Sequence, residues 1–381
     1  MSKIHITLVG GQPAPVYHGI VATQPDKVIF IYSEGSREVL TTLRKELNLP
    51  EDEQEPLDPT DPMKILSRAK YLAEKYKADE ITVNISSGLK SWSHLFGIVF
   101  DKMPNASIVY MDQNNVLWNY KTMQPQSGFN FDMHTLFSLY GNPLENNYKR
   151  FSDYTDADKN AIQKIENIRR FNYQSFNKLT AILEKRQKDL LQSQKEGYFD
   201  LPDSSYIRWK KKESNVTNDW VEICLCKNGS SKLIKIESPN AVSLTFNSGW
   251  FEYKVALLLS TWDKAKEICL NCHFPSKQNI DKNETDIIVN TGTKILFVEC
   301  KTQITHVTDI DKFRSVVKGY GGTGSKGLFV TDAKMSATAI EKCNDNDIIH
   351  FSLEDGKQWG LPSEKALKLL LDNELLNINT K

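Results

Sequence analysis

Over residues 1–145, short apolar runs alternate with stretches of helical periodicity, and this alternation restricts the fold more than any other feature of the chain. Apolar runs fall at Ile4–Val9, Val28–Tyr32, Ile81–Ile85 and Ile108–Met111, with Val116–Tyr120 spaced as a hairpin partner of the last. Helical periodicity fills Val16–Thr23, Arg37–Leu47, Pro62–Tyr76 and Ser91–Lys102. Strands separated by helices need crossover connections, so the order predicts a doubly wound, mostly parallel sheet. The unbroken run Val28-Ile29-Phe30-Ile31-Tyr32 suits a strand covered on both faces. Glu51–Asp61, set among Pro50, Pro56, Pro59 and Pro62, reads as a loop, and Gly141-Asn142-Pro143 closes the unit.

Beyond it, Ile162, Ile165, Ile168, Phe176, Leu179, Ile182 and Leu183 repeat at helical spacing, predicting one long or two shorter connecting helices. A second globular unit begins near Ser204. Asn228-Gly229 between Trp220–Lys227 and Lys232–Glu237 is a hairpin signal. Ser248–Thr261 reads as a helix capped by Ser248 or Asn247, and Asp286–Asn290 with Lys294–Thr302 as a second hairpin around Thr291-Gly292-Thr293. A helix near Asp309–Lys318, the strand Gly327–Thr331 and a helix Ser336–Cys343 follow. The expected domains are 1–145, a helical connector 146–203, and 204–381.

At 40% hydrophobic residues the chain has material for packed cores, which excludes an intrinsically disordered protein. No run approaches the roughly 18 apolar residues of a membrane span, so no membrane association is expected. Met1-Ser2-Lys3 leads into a strand pattern rather than a signal peptide, and six Cys without framework spacing fit a reducing cytoplasm. The 48 basic side chains balance 48 acidic ones, and residues 1–150 carry fifteen against seventeen. Neither half has the excess of a constitutive nucleic-acid binder, which leaves transient engagement open.

The sharpest chemical signal is Asp286 followed by Glu299-Cys300-Lys301. Side chains alternate along a strand, so Glu299 and Lys301 share a face. A two-residue turn at Gly292-Thr293 makes opposed positions sum to 585, which sets Asp286 across from Glu299. Opposed carboxylates repel unless something neutralises them. A divalent metal does so, with carboxylate oxygens and the Cys300 carbonyl as ligands. Lys301 is placed to position or deprotonate an attacking water and to stabilise a charged transition state. Upstream, Glu252 lies in the first turn of a helix, where a carboxylate also suits the helix dipole. The apolar run Ile295-Leu296-Phe297-Val298 implies a buried strand, in which unpaired charges are expensive.

Together, a helix Glu, an Asp, and a Glu-x-Lys on a hairpin resemble the PD-(D/E)XK nuclease superfamily. The resemblance implies catalytic roles for Glu252, Asp286, Glu299, Lys301 and Gln303, with Glu252, Asp286, Glu299 and Cys300 around Mn2+ or Mg2+. Thr285 stands where that family often has proline.

A second constellation follows two strands of the first unit. Strand Ile81–Ile85 runs into Ser86-Ser87-Gly88-Leu89-Lys90-Ser91 and a helix, and the first strand ends in Gly10-Gly11-Gln12-Pro13. Open α/β sheets bind ligands outside the carboxyl ends of their strands, and helix N-termini attract phosphate. Asn84-x-Ser86-x-Gly88-x-Lys90 resembles the signature loop of CRISPR-associated Rossmann-fold (CARF) domains, with Ser87 where a second Gly is usual. That resemblance implies a dimeric sensor of cyclic oligoadenylates, with Gly10, Gly11, Gln12, Asn84, Ser86, Ser87, Gly88, Lys90 and Ser91 at the ligand. A CARF sensor, helical connector and PD-(D/E)XK unit in this order is similar to the ligand-activated nucleases of type III CRISPR defence. The activator most implied is cyclic tetra-adenylate, the substrate DNA or RNA, and the assembly a homodimer.

Other signals carry less. Cys269-Leu270-Asn271-Cys272-His273 spells a c-type haem attachment string, but that chemistry belongs to exported proteins. A zinc site would need Cys224-x-Cys226 as a second pair. Gly319–Lys326 departs from a phosphate-binding loop by its Ser-Lys order and by the strand that follows. Arg208-Trp209-Lys210-Lys211-Lys212 suits either phosphate contact or a solvated face. Two alternatives compete with a gated nuclease: a nucleotide-sensing DNA-binding regulator, with a winged helix after residue 204, and a ligand-independent restriction-like nuclease.

Overall fold

The computed structural model describes residues 1–50, 56–112, 115–127, 132–181, 191, 193–213, 217–280, 282–292, 294–304, 306–321, 325–354 and 361–376. Residues 51–55 of the acidic loop, Ile182 and Leu183, Thr293 of the hairpin turn, and Gly322–Gly324 lie outside them. The chain forms two compact units, Met1–Leu144 and Glu145–Lys381.

In the first unit, strands β1 (Lys3–Leu8), β2 (Lys27–Ile31), β3 (Glu80–Asn84), β4 (Ala106–Met111), β5 (Leu117–Asn119) and β6 (Gln124–Gln126) form one sheet in the order β2-β1-β3-β4-β5-β6. The first four pair in parallel and the last two antiparallel. Helices α1 (Pro13–Thr23), α2 (Arg37–Glu46), α3 (Pro62–Lys75), α4 (Lys90–Asp101) and α5 (Met133–Leu139) complete it. Alternation along β2 sends Ile29 and Ile31 into one core with Ala69, Leu72, Phe96 and Phe100, and Phe30 into another with Val16, Ile20, Leu40 and Leu43. The unbroken apolar run is therefore covered on both faces, as expected. α3 begins where it does because the Asp61 side chain accepts from the Met63 and Lys64 N–H groups, with Pro62 at the first helical position.

The second unit holds two sheets. Strands β7 (Lys149–Arg150), β12 (Glu267–His273), β13 (Glu284–Asn290), β14 (Ile295–Lys301), β15 (Ser325–Thr331) and β16 (Ile348–Ser352) are ordered β16-β15-β14-β13-β12-β7. β14, β15 and β16 pair in parallel, whereas β12, β13 and β14 are antiparallel. Strands β8 (Glu196–Asp200), β9 (Tyr206–Lys210), β10 (Asp219–Lys227) and β11 (Ser230–Ser238) form an antiparallel sheet. Lys227 pairs with Ser230 across Asn228 and Gly229, both at positive φ, so the expected tight turn is present. Among the described residues seven helices accompany these sheets: α6 (Asp156–Phe171), α7 (Tyr173–Thr180), α8 (Ala241–Thr245), α9 (Gly249–Ser260), α10 (Thr308–Tyr320), α11 (Ala337–Asp345) and α12 (Ser363–Glu374).

The helical segment expected after the first unit is present as α6 and α7, but it is no free-standing linker. Ile162, Ile165, Ile168, Phe176 and Leu179 share one hydrophobic core with Val221, Trp250 and Val298. Their helical spacing reflects burial on one face against the second unit. The mixed six-stranded sheet leaves no place for a winged helix. Among the described residues no helix is long and apolar enough to cross a membrane.

Candidate active site and ligand loops

The hairpin of the second unit sets up the chemistry. Asn290 pairs with Ile295, and the register runs through Ile288 with Phe297 to Ile287 with Val298, every pair summing to the expected 585. The ladder stops there, one step short of Asp286 and Glu299. In its place the Asp286 Oδ2 accepts from the Cys300 N–H at 2.7 Å, a side chain standing in for a backbone partner. In an extended strand a residue's N–H and C=O point the same way, so the Cys300 carbonyl also faces Asp286. The Cys300 side chain goes to the other face, buried in the core.

Glu299 is 2% exposed and its carboxylate is held by two ammonium groups. Lys301 Nζ lies 2.8 Å from Oε1, and Lys282 Nζ reaches both oxygens at 2.8 and 2.7 Å. Burial works against the charge on each lysine, but Asp286 and Glu299 outweigh it and raise both above the usual lysine value. No motif in the sequence marks Lys282, which precedes β13 in a segment without periodic signal; only the fold brings it to Glu299.

Glu252 arrives on α9, a helix buried around most of its circumference by Trp250, Phe251, Tyr253, Val255, Ala256 and Leu259. Its half-buried carboxyl projects from that helix, and burial and then the Asp286 charge raise its pKa well above the ordinary range. Burial and then Glu299 push Asp286 up to about 6. Glu252, Asp286, Glu299, Lys282 and Lys301 thus form one electrostatically linked cluster with a surplus of one carboxylate. Gln303 is exposed and lies beyond the end of β14, so strand alternation no longer sets its direction.

No three His, Cys, Asp or Glu side chains among the described residues are arranged as a ready metal cage. The reason is visible at Glu299, whose oxygens are engaged by lysines. Asp286 and Glu252 remain as half-buried carboxylates that resist ionising together, and the Cys300 carbonyl faces the same place. Hard oxygen donors and unneutralised charge fit a small divalent cation there. Cys224 and Cys226 lie on β10, and Cys269 and Cys272 on β12 of the other sheet.

In the first unit, β1 lies between β2 and β3, so the chain leaves β1 to one side and later returns on the other. The loops after β1 and β3 therefore flank the topological switch point, where open α/β sheets hold ligands. They are tied together: Gly10 N–H donates to Ser87 Oγ at 3.1 Å. A Cβ on Gly10 would lie 2.6 Å from Gly88 N, and Gly88 itself has φ +84°. Asn84 is fully buried, its Nδ2 donating to the Pro15 carbonyl at 3.1 Å and its Oδ1 accepting from Ser86 N and Oγ. Ser86 Oγ also accepts from Met111 N–H. Asn84, Ser86 and Ser87 accordingly build the loop, a role the sequence pattern did not separate from ligand contact. Gly11, Gln12, Lys90 and Ser91 are the exposed members, and neither α1 nor α4 has a side-chain cap on its N-terminal N–H groups.

No protein-family model matches the sequence, and no curated protein matches it. Solved structures do. Can2 from Sulfobacillus thermosulfidooxidans in complex with cyclic tetra-adenylate is similar at 17% identity and TM-score 0.63, over 98% of this chain and 97% of that one. Protein VC1899 from Vibrio cholerae is similar at 16% identity and TM-score 0.69, over 96% and 97%. A type III CRISPR defence DNA nuclease activated by cyclic oligoadenylate is similar at 15% identity and TM-score 0.57, over 97% of this chain and 52% of that chain. At these identities the likeness establishes the fold. The α/β architecture expected from the sequence is the one these structures share.

Proposed function

We propose that the chain is a metal-dependent endonuclease of type III CRISPR defence, acting in the cytoplasm and gated by a cyclic oligoadenylate, with cyclic tetra-adenylate as the first candidate. The observation that carries the reading is the convergence of Glu252, Asp286, Glu299 and Lys301 from one helix and two strands onto a partly buried, electrostatically strained cluster. A fold shared with the two oligoadenylate-linked structures supports it.

Asp286, Glu252 and the Cys300 carbonyl would hold Mn2+ or Mg2+, with Glu299 joining when a lysine releases it. The cation would supply charge stabilisation to the phosphodiester and acidify a water. Lys301 keeps a positive charge beside the scissile phosphate, and its proton is held firmly by the flanking carboxylates. In the sensor, Gly11 leaves space for close backbone approach, and Lys90 with the α4 N-terminus would meet a phosphate. A symmetric cyclic ligand suits a two-fold homodimer.

The test is incubation with Mn2+ or Mg2+, each cyclic oligoadenylate in turn, and plasmid, single-stranded DNA or RNA. Cleavage only with one cyclic ligand supports the reading. Binding of ligand without cleavage under any condition would identify a regulator, and full cleavage without ligand a constitutive nuclease.

A further inference from the structure

The basic run that ends β9 is sorted by the fold into two groups. Along β9, Ile207 and Trp209 turn into the core, and Arg208 pairs with Glu222 at 2.7 Å. Lys211 and Lys212, just past the strand, instead line a cleft of about 760 Å3 together with Lys149, Tyr154 and, on its wall, Glu252. Asn271 lines it too. It lies between Leu270 and Cys272, which pair with Ile287 and Thr285, so its position in β12 faces Asp286. The cleft thus opens onto both the helix and the sheet that carry the carboxylates.

Three ammonium groups line it, and Lys149 and Lys212 donate to neutral oxygens. Lys149 Nζ donates to Asn240 Oδ1 at 2.8 Å and Ser243 Oγ at 3.3 Å, Lys212 Nζ to the Pro239 carbonyl at 3.3 Å, and Lys211 Nζ to the Leu191 carbonyl. Of the two lining carboxylates, Asp219 has both oxygens engaged by backbone N–H groups of Lys212 and Val242, and Glu252 belongs to the candidate active site. Burial and then the Lys212 charge lower the proton affinity of Lys149, against a smaller opposing pull from Asp219 and Asp158. Tyr154 presents its ring beside Lys149, 5.9 Å from Nζ to centroid.

We propose that this cleft is the substrate path of the nuclease, in which Lys149, Lys211 and Lys212 hold successive phosphates of a nucleic-acid strand leading to Glu252. The inference rests on the nuclease reading and adds to it a location and a chemistry: a phosphodiester backbone read by charge, independent of base sequence.

Equilibrium binding of short fluorescent single-stranded DNA and RNA to the full chain carrying Glu299→Gln, in EDTA, with and without cyclic tetra-adenylate, tests it. Lys212→Ala should weaken binding about tenfold. It should also make the salt dependence shallower by about 0.7 in log K per log salt. Lys212→Arg should restore both. Adding Lys149→Gln should deepen the loss, with an unchanged thermal midpoint confirming the fold. Lys227→Ala with Lys232→Ala, at the hairpin tip on the far end of β10, should leave binding as it was. A parent that binds while Lys212→Ala keeps its affinity and salt slope overturns the cleft and leaves the nuclease standing. Equal loss from the hairpin-tip pair overturns the location. A parent that binds neither nucleic acid in any condition overturns the cleft and the nuclease reading together.

Discussion

Lys282 Nζ donates to both carboxylate oxygens of Glu299, at 2.8 and 2.7 Å, and so occupies the acidic group that a metal would use. With Lys301 on Oε1, the carboxylate is neutralised from within the chain. Glu299 and a divalent cation are therefore in competition with a tethered ammonium. Lys282→Met should raise Mn2+ affinity about tenfold, the worth of one charge-assisted hydrogen bond. Calorimetry on the ligand-free protein measures this. Unchanged or weaker metal binding would show that Lys282 does not compete for Glu299.

Lys301 and Glu299 are separable by what their loss does to folding. Lys301→Met should lower cleavage roughly 100- to 1,000-fold, the worth of one charge-stabilising group. Its fold should survive, because Lys282 still neutralises Glu299. Glu299→Ala removes the carboxylate hydrogen-bonded to both ammonium groups, with Asp286 left among their counter-charges, and should cost about 2 kcal/mol of stability as well as activity. Glu299→Gln is the cleaner probe of chemistry. Thermal denaturation beside a cleavage assay distinguishes the three variants, and a Glu299→Ala protein as stable as the parent would contradict the ion-pair account.

Asp286 makes the metal-free protein sensitive to pH. Its folded pKa, raised to about 6 by burial and then Glu299, exceeds the ordinary value of 3.8. The folded state therefore binds the proton more tightly, so this group's contribution is full below about 4 and is lost as pH rises through 6. Asp286→Asn should stabilise the EDTA-treated protein at pH 7.5, by at most about 3 kcal/mol, with the gain shrinking as pH falls from 6 toward 4. Denaturant unfolding across that range reads it. A gain that grows toward acid would reverse the assignment. With saturating metal the same substitution should destabilise.

The glycines of the sensor loops divide by geometry. Gly88→Ala should cost at least about 1 kcal/mol, from its positive φ and the Leu8 Cβ 2.8 Å from where a methyl would sit. Gly10→Ala meets the Gly88 backbone at 2.6 Å and should destabilise similarly. Nothing lies within 4 Å of a Cβ on Gly11. Gly11→Ala should fold normally, so Gly11→Trp tests ligand approach alone, through calorimetric binding of cyclic tetra-adenylate. Normal binding by a well-folded Gly11→Trp would remove this loop from the ligand site.

What the sequence determined by itself is periodic or local. Alternation of apolar residues set the strands and helices of the first unit, because burial on a sheet face or a helix stripe repeats every 2 or 3.6 residues. Asn228-Gly229 and the hairpin sum of 585 set register, because tight turns allow few pairings. Tertiary structure decided everything that joins residues without a period between them. It folded α6 and α7 into the second core and carried Lys282 to Glu299. It turned Asn84 and Ser87 inward as loop ties, and brought Lys149 to Lys212 and Glu252. Those contacts depend on where whole elements pack, and no spacing within one element encodes them. The ladder's end short of Asp286 belongs to the same class. There the Asp286 carboxylate takes the Cys300 N–H in place of a ladder bond, an exchange that the turn's register alone does not encode.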